Sequence, residues 1–210
     1  TVLRYLPCER APRREGPAVL LVPPLAAPSS CFDLRRGCSL AEHLLGLGHA
    51  AYLLEYGDIS FGERSLGLEH WVEEVIPAAV RAVAADAGEG PVTLVGWCLG
   101  GIMSLLSTAA EPDLPVAAVA LVASPFDFGQ VPLMAPLRPL ANLTGGLLGT
   151  AAYRAMGGAP APLVRNVYRL ASIDKYLLKP IAVARNLHDR DFLAQIEAVR
   201  ALAEVVSEVE

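Results

Sequence analysis

The residues most suited to chemistry lie at positions 96–100, where the sequence reads Gly-Trp-Cys-Leu-Gly. A β-branched run comes directly before this motif, and residues 99–110 after it have helical periodicity. A nucleophile between two such glycines is typical of a sharp strand-to-helix turn, a nucleophile elbow, because side chains at the glycine positions would collide with neighbouring backbone. The sequence therefore predicts that Cys98 performs acyl-transfer chemistry and that Gly96 and Gly100 are the elbow glycines.

The start of the following helix would assist a reaction at Cys98. Its first N–H groups and its dipole favour a thiolate over a thiol, and the N–H of Leu99 would form half of an oxyanion hole. The second donor is expected in the loop at residues 23–26, Pro-Pro-Leu-Ala. Because proline has no N–H, Leu25 is the first residue able to donate, and Ala26 is the alternative. The other interpretation of Cys98 is a small, buried and inert residue in a glycine-rich turn.

Four histidines are candidates for a general base. Three lie in or beside predicted helices and are more typical of surface or capping residues: His43, His49 and His70. His188 alone follows the cysteine, and Asp127 or Asp174 could orient it in the chain order nucleophile, acid, base. No predicted strand lies just upstream to place His188 over a sheet edge, so we interpret it as a loop residue and assign no acid or base.

Strands and helices alternate around the motif. Short apolar runs predict strands, the first two of them forming a hairpin: Val2–Leu6, Ala18–Val22, Ala51–Glu55, Val92–Val95 and Val116–Val122. Helical spacing predicts a helix from Ser39 to Gly48, with Ser39 as N-cap, a second through Trp71 to Val83, and a third over residues 99–110. Pro77 lies inside the second helix, and we expect a kink or a restart there.

This order predicts right-handed βαβ units and a doubly wound, mostly parallel α/β sheet. The strand Val116–Val122 is apolar throughout, as expected for a parallel strand covered on both faces. After Pro125 the sequence becomes rich in proline and glycine, and helical segments are then predicted near residues 163–170, 173–185 and 191–209. We predict a core over residues 1–128, incomplete at its C-terminus, and a helical cap segment over residues 129–210.

Composition excludes several classes of partner. The net charge is −5 and no large Lys/Arg cluster is present, which argues against nucleic acid. No apolar run reaches the roughly 18 residues that a membrane span needs. The four cysteines have no CxxC spacing, so neither a zinc site nor a redox pair is indicated. We expect no metal and no cofactor, and reduced thiols fit a cytoplasmic protein.

Several segments taken together resemble the polyhydroxyalkanoate synthases. The resemblance spans residues 18–128 and lies in Leu20-Leu-Val-Pro-Pro-Leu25, Phe32-Asp-Leu34, Ser39-Leu40, Leu47-Gly-His49, Gly96-Trp-Cys-Leu-Gly-Gly101 and Ser124-Pro-Phe-Asp-Phe128. It implies an α/β-hydrolase fold and an acyltransferase that takes 3-hydroxyacyl groups from coenzyme A thioesters onto Cys98. Acyl-coenzyme A and a polyester granule surface are the implied partners, and a homodimer or a partner subunit is left open.

The family's Asp and His lie downstream, after later strands that this sequence does not contain, so the resemblance implies an incomplete triad. Two other functions stay open. The chain could be an esterase or thioesterase that passes the acyl group to water, or a catalytically silent, truncated binding module. The sequence does not decide the acyl chain length, nor the choice between polymer formation and hydrolysis.

Overall fold

The computed structural model describes residues 1–6, 16–25, 27–57, 66–125, 127, 138–145, 147, 151 and 180–208. Its strands are β1 (Val2–Arg4), β2 (Ala18–Val22), β3 (Asp33–Arg35), β4 (Cys38–Ser39), β5 (Ala51–Leu54), β6 (Val92–Trp97) and β7 (Val116–Val122). Its helices up to residue 125 are α1 (Leu40–Gly46), α2 (Leu68–His70), α3 (Ile76–Ala87) and α4 (Leu99–Ala110). A 3₁₀ helix spans Ser29–Phe32, and a π-helical turn spans Trp71–Val75.

The main sheet has five strands in the order β1-β5-β2-β6-β7. Strands β5, β2, β6 and β7 pair in parallel, and β1 pairs antiparallel with β5. The predicted mostly parallel sheet is confirmed, but the predicted hairpin between the first two strands is wrong. All five residues of β2 are buried, so β2 takes the centre of the sheet between two parallel neighbours, and the more exposed β1 adds at the outer side of β5.

Side chains of β2 alternate between two apolar clusters, one on each face of the sheet. Ala18, Leu20 and Val22 pack into the larger cluster with residues of α3 and α4. Val19 and Leu21 pack into the smaller one with Ala41 of α1. This alternation follows from the two-residue period of a strand, and it confirms that helices cover both faces.

Sequence periodicity predicts the elements nearest the Gly-x-Cys-x-Gly motif well. Helix α4 and strand β7 have the predicted bounds, and β6 runs two residues further than expected, to Trp97. Ser39 caps α1, accepting a hydrogen bond from the Glu42 N–H at 2.9 Å. The expectation that β7 is covered on both faces is wrong, because β7 is the edge strand of the described sheet and most of its residues are exposed.

Pro77 produces the predicted restart through a π-helical turn. The N–H of Ile76 donates to the carbonyl of Trp71, five residues earlier. With the same five-residue spacing, the Val72 carbonyl would accept a hydrogen bond from the N–H of residue 77. Residue 77 is proline, which has no N–H. The buried hydroxyl of Ser107 in α4 takes its place, with Oγ 2.7 Å from Val72 O and 2.9 Å from Met103 O in its own helix. A side chain of α4 thus completes the backbone pairing of the helix beside it.

Beyond residue 125 the described elements are helical: Arg138–Thr144, residues 180–185 and Arg190–Glu208. The predicted helix near residues 163–170 lies outside the described residues. Contacts divide the chain into two compact units, the first of Thr1–Ser60, Leu66–Pro125 and Gln195–Glu210, the second of Phe61–Ser65 and Phe126–Ala194. The core at residues 1–128 and the cap at residues 129–210 stay a prediction. In the described parts of the chain, no helix has the length and apolar character needed to cross a bilayer.

Replacing Ser107 with alanine should lower stability by about 1–3 kcal/mol, since it removes the hydroxyl that donates to the buried Val72 carbonyl. Ser104→Ala is the matched control. Ser104 is equally buried on the same helix, but its hydroxyl donates to the Gly100 carbonyl, which α4 already pairs. We expect the control to lose about 1 kcal/mol or less. Urea unfolding measures both values, and equal losses would contradict a special role for Ser107.

Candidate active site

Cys98 lies at the turn where β6 passes into α4, in a backbone conformation that non-glycine residues rarely adopt. Its φ is 54° and its ψ is −118°, outside the regions that L-residues populate freely. Its N–H donates to the carbonyl of Val122, at the end of β7, at 2.8 Å. The side chain is partly exposed and its thiol is free. The neighbouring strand therefore helps to hold this partly exposed residue in a strained conformation.

Three glycines allow this β6–α4 corner (residues 96–101) to form. A Cβ on Gly96 would lie 2.6 Å from the amide nitrogen of Gly101, and a Cβ on Gly100 would lie 2.6 Å from the carbonyl oxygen of Pro23. A Cβ on Gly101 would lie 2.8 Å from the carbonyl oxygen of Gly96. At Gly96 and Gly100, where elbow glycines are predicted, these distances leave no room for a side chain. A role for Gly101 was not predicted, although the second glycine of the Gly-Gly pair was a signal that could have indicated it.

Leu99 begins α4, so its N–H has no acceptor within the helix. The intrahelical bonds begin with the N–H groups of Gly101 and Ile102, both of which donate to the carbonyl of Cys98, at 3.1 and 3.3 Å. The Leu99 side chain packs against the larger apolar cluster, which fixes the first turn of α4 on the sheet. The backbone N–H beside the Cys98 thiol is thus held in place, and no acceptor for it lies in the described part of the chain.

The β2 loop (residues 23–29, with residue 26 outside the described part) lies against the first turn of α4. The 2.6 Å approach that a Cβ on Gly100 would make to Pro23 shows how closely these two backbones pack. A turn closes in the loop through a hydrogen bond from the Ala27 N–H to the Pro24 carbonyl, at 3.2 Å. Leu25 lies within this turn, and in the described part of the chain no acceptor occupies its N–H. The alternative donor, Ala26, lies outside the described residues.

An aromatic pair lies beside Cys98 on the α1 side of the sheet. The rings of Phe32 and Trp97 meet edge to face, with centroids 6.1 Å apart. Phe32 is buried, whereas Trp97 is 38% exposed. Cys31, also in the 3₁₀ helix, is buried, and burial raises the pKa of its thiol to about 11. Of the free thiols that the structure describes, Cys31 is therefore held protonated and enclosed, and Cys98 is accessible at the corner.

We assign none of the described histidines as a base for Cys98. His188 is exposed in a turn at residues 186–188, and Asp174 lies outside the described residues. The other three histidines lie where surface residues are expected: His43 is exposed on α1, His49 contacts the Pro17 carbonyl, and His70 pairs with Glu74 one helical turn away. The structure thus brings the corner glycines, Cys98, Leu99 and the β2 loop together, and it leaves the acid and base unassigned.

Substituting Gly100 with alanine should destabilise the protein by about 3 kcal/mol, because the new Cβ would overlap the carbonyl of Pro23. Gly46→Ala provides the control, since Gly46 is also helical and nothing lies within 4 Å of its Cβ position. There we expect a gain of up to about 1 kcal/mol from helix propensity alone. Chemical denaturation tests both, and a stabilised Gly100→Ala protein would disprove the close approach.

The cysteines should react with iodoacetamide in a defined order. A thiol with a pKa of about 11 is roughly 0.1% thiolate at pH 8, and the thiolate is the nucleophile. We expect Cys98 and Cys38 to be modified before Cys31, and Cys31 to gain reactivity as the pH rises toward 11. Peptide mass spectrometry resolves the sites. Modification of Cys31 as fast as that of Cys38 at pH 8 would contradict its burial.

Comparison with known proteins identifies the fold family of the chain. Residues 19–208 match the model of the Alpha/beta hydrolase family. Among solved structures, an alpha/beta hydrolase enzyme from a metagenome of sediments of the lagoon of Mar Chica, Morocco, is 18% identical, with a TM-score of 0.40 over 88% of this chain and 60% of that one. The family model covers most of the chain and is the basis for the assignment.

Two curated relatives carry the name Poly(3-hydroxyalkanoate) polymerase subunit PhaC. The protein of Synechocystis sp. is 36% identical over 112 residues, which are 53% of this chain and 29% of that protein. The protein of Haloarcula marismortui is 25% identical over 191 residues, which are 86% of this chain and 37% of that protein. The chain thus spans about a third of the length of these relatives. It belongs to the alpha/beta hydrolase family, and within that family it is similar to the polyhydroxyalkanoate synthases.

Proposed function

We propose that Cys98 accepts a 3-hydroxyacyl group from a coenzyme A thioester and passes it to a hydroxyl group, as part of a polyester synthase. The observation that carries this proposal is the strained position of Cys98 between β6 and α4. Strain of this kind persists where the surrounding structure imposes it, and it is concentrated at functional sites. The polymerase names of the relatives support the choice of substrate.

In the first step, the Cys98 sulfur attacks the carbonyl carbon of the thioester as a thiolate. A bond forms between Sγ and that carbon, and the carbonyl electrons move to oxygen. The N–H groups of Leu99 and Leu25 are the proposed donors to this oxyanion. When the carbonyl re-forms, the bond to the sulfur of coenzyme A breaks. The proton that the Cys98 thiol loses balances the proton that the departing thiolate gains.

In the second step, the hydroxyl oxygen of another 3-hydroxyacyl group attacks the acyl-Cys98 thioester. An oxygen–carbon bond forms, the bond to Sγ breaks, and the sulfur recovers the proton that the hydroxyl loses. The product is an ester one unit longer. A cysteine suits this reaction, because exchange between two thioesters is nearly balanced and the acyl-enzyme stays reactive toward a hydroxyl. Attack by water instead would release the free acid.

The β6–α4 corner supports the first step more directly than the second. The thiol, the Leu99 N–H and Leu25 of the β2 loop all belong to the described part of the chain. The second step needs a group that removes the proton of the incoming hydroxyl, and we assign none to this chain. We therefore expect acylation of Cys98 without extensive turnover when the chain acts alone.

Incubation with 3-hydroxybutyryl-coenzyme A should attach one 3-hydroxybutyryl group to Cys98, with release of coenzyme A. Intact-mass and peptide mass spectrometry detect and locate the adduct. Cys98→Ala should abolish it, whereas Cys38→Ala, which removes another partly exposed free thiol, should leave it unchanged.

Labelling at Cys38, or none at any cysteine, would refute the proposed acyl-enzyme. The products separate transferase from hydrolase activity. Recovery of oligoester supports the proposed transfer to a hydroxyl, and free 3-hydroxybutyrate as the sole product supports an esterase or thioesterase.

A further inference from the structure

Two consecutive residues after β5 hold the two ends of the β2 loop. Strand β5 ends at Leu54, and it lies beside β2 in the sheet. The next residue, Glu55, contacts the far end of the loop through Ser29. The one after it, Tyr56, contacts the near end through Pro23. The loop between these contacts carries Leu25, the proposed second oxyanion donor.

The contact at the near end is a hydrogen bond from the Tyr56 hydroxyl to the Pro23 carbonyl, at 2.9 Å. The Tyr56 ring lies edge-on against the buried Trp71, with centroids 5.2 Å apart. Burial raises the pKa of Tyr56, so the hydroxyl keeps its proton and can donate. This hydrogen bond matters because the near end of the loop has few other groups that can form one. Residues 23 and 24 are both proline, so this end of the loop has no N–H groups and is held through its carbonyls.

The contact at the far end is a hydrogen bond from the Ser29 hydroxyl to the Glu55 carboxylate. The other carboxylate oxygen of Glu55 accepts the N–H of Gly57 at 3.3 Å, which holds the side chain in place. Ser29 begins the 3₁₀ helix that ends at Phe32, and Phe32 packs against Trp97 next to Cys98. Both ends of the loop are therefore tied to the exit of β5.

We infer that Glu55 and Tyr56 are positioning residues that hold the β2 loop against α4, so that the Leu25 N–H meets the oxyanion formed at Cys98. This inference rests on the proposed function, because it assumes acyl transfer to the Cys98 sulfur. Neither side chain needs to touch the substrate. Their effect would pass through the carbonyl of Pro23, which packs against Gly100, and through the hydroxyl of Ser29.

The test compares two reactions of the same thiol. Acylation of Cys98 by 4-nitrophenyl acetate passes through a tetrahedral oxyanion, whereas alkylation by iodoacetamide does not. Tyr56→Phe keeps the partly buried ring and removes only the donor. We expect it to lower the acylation rate constant by about tenfold to a hundredfold, as for a small misplacement of a catalytic donor, and to leave the alkylation rate unchanged. Ser29→Ala should act in the same direction, by about threefold to tenfold.

Tyr52→Phe is the matched control. It removes a tyrosine hydroxyl from the same stretch of chain, but this hydroxyl donates to Asp86, in the last turn of α3, at 2.6 Å. Both rates should stay at the wild-type value in this variant. Thermal unfolding shows whether the Tyr56→Phe protein is folded. If that variant does not fold, Ser29→Ala tests the same loop through the contact at its far end.

Three results would overturn the inference. They are an unchanged acylation rate in Tyr56→Phe and Ser29→Ala, an equal loss of acylation and alkylation, or no acylation of wild-type Cys98 by 4-nitrophenyl acetate. A different result would contradict the proposed function without contradicting this inference. If the nitrophenyl ester acylates Cys98 and responds to the variants, while 3-hydroxybutyryl-coenzyme A does not react, the positioning role stands and the proposed substrate is wrong.

Discussion

The arrangement around Cys98 depends on one close packing of backbone against backbone. The first turn of α4 lies against the last residues of β6 and against the exit of β2, with no side chain between them. A single methyl group at position 96, 100 or 101 would enter another residue's backbone. Because α4 can approach so closely, the N-terminal end of its dipole lies at the carboxyl edge of the sheet. The thiol, the first N–H group of α4 and the β2 loop are neighbours for that reason.

The same packing accounts for the strain in the backbone. Cys98 and Ala123 follow β6 and β7 respectively, and both have positive φ, at 54° and 48°. They are linked, since the Cys98 N–H donates to Val122, the residue just before Ala123. Each strained residue lies where a strand ends beside a parallel neighbour, so the ladder between β6 and β7 offsets the local cost. Sheet pairing therefore supports the strained position of Cys98.

Sequence periodicity was enough to predict β2, α4 and β7, because each is a continuous run with one clear period. Sequence periodicity did not predict which strands pair with each other. Adjacent strands in sequence often pair, yet the buried β2 takes parallel partners on both sides and β1 joins β5. The corner at Cys98 could be predicted from the sequence, because only glycine fits at the flanking positions and this fixes the spacing of the motif. The contact of Tyr56 with Pro23 spans 33 positions and leaves no local pattern, so only coordinates could reveal it.

Ser107 donates to the Val72 carbonyl, which would lack a backbone donor at Pro77. Substitutions at positions 77 and 107 should therefore depend on each other during evolution. A proline at position 77 removes a backbone N–H donor, and the hydroxyl of Ser107 on the neighbouring helix replaces that donor. A lineage that loses the proline makes that hydroxyl dispensable, because an ordinary amide returns. The two positions should therefore drift together among homologous chains, although neither is near the thiol.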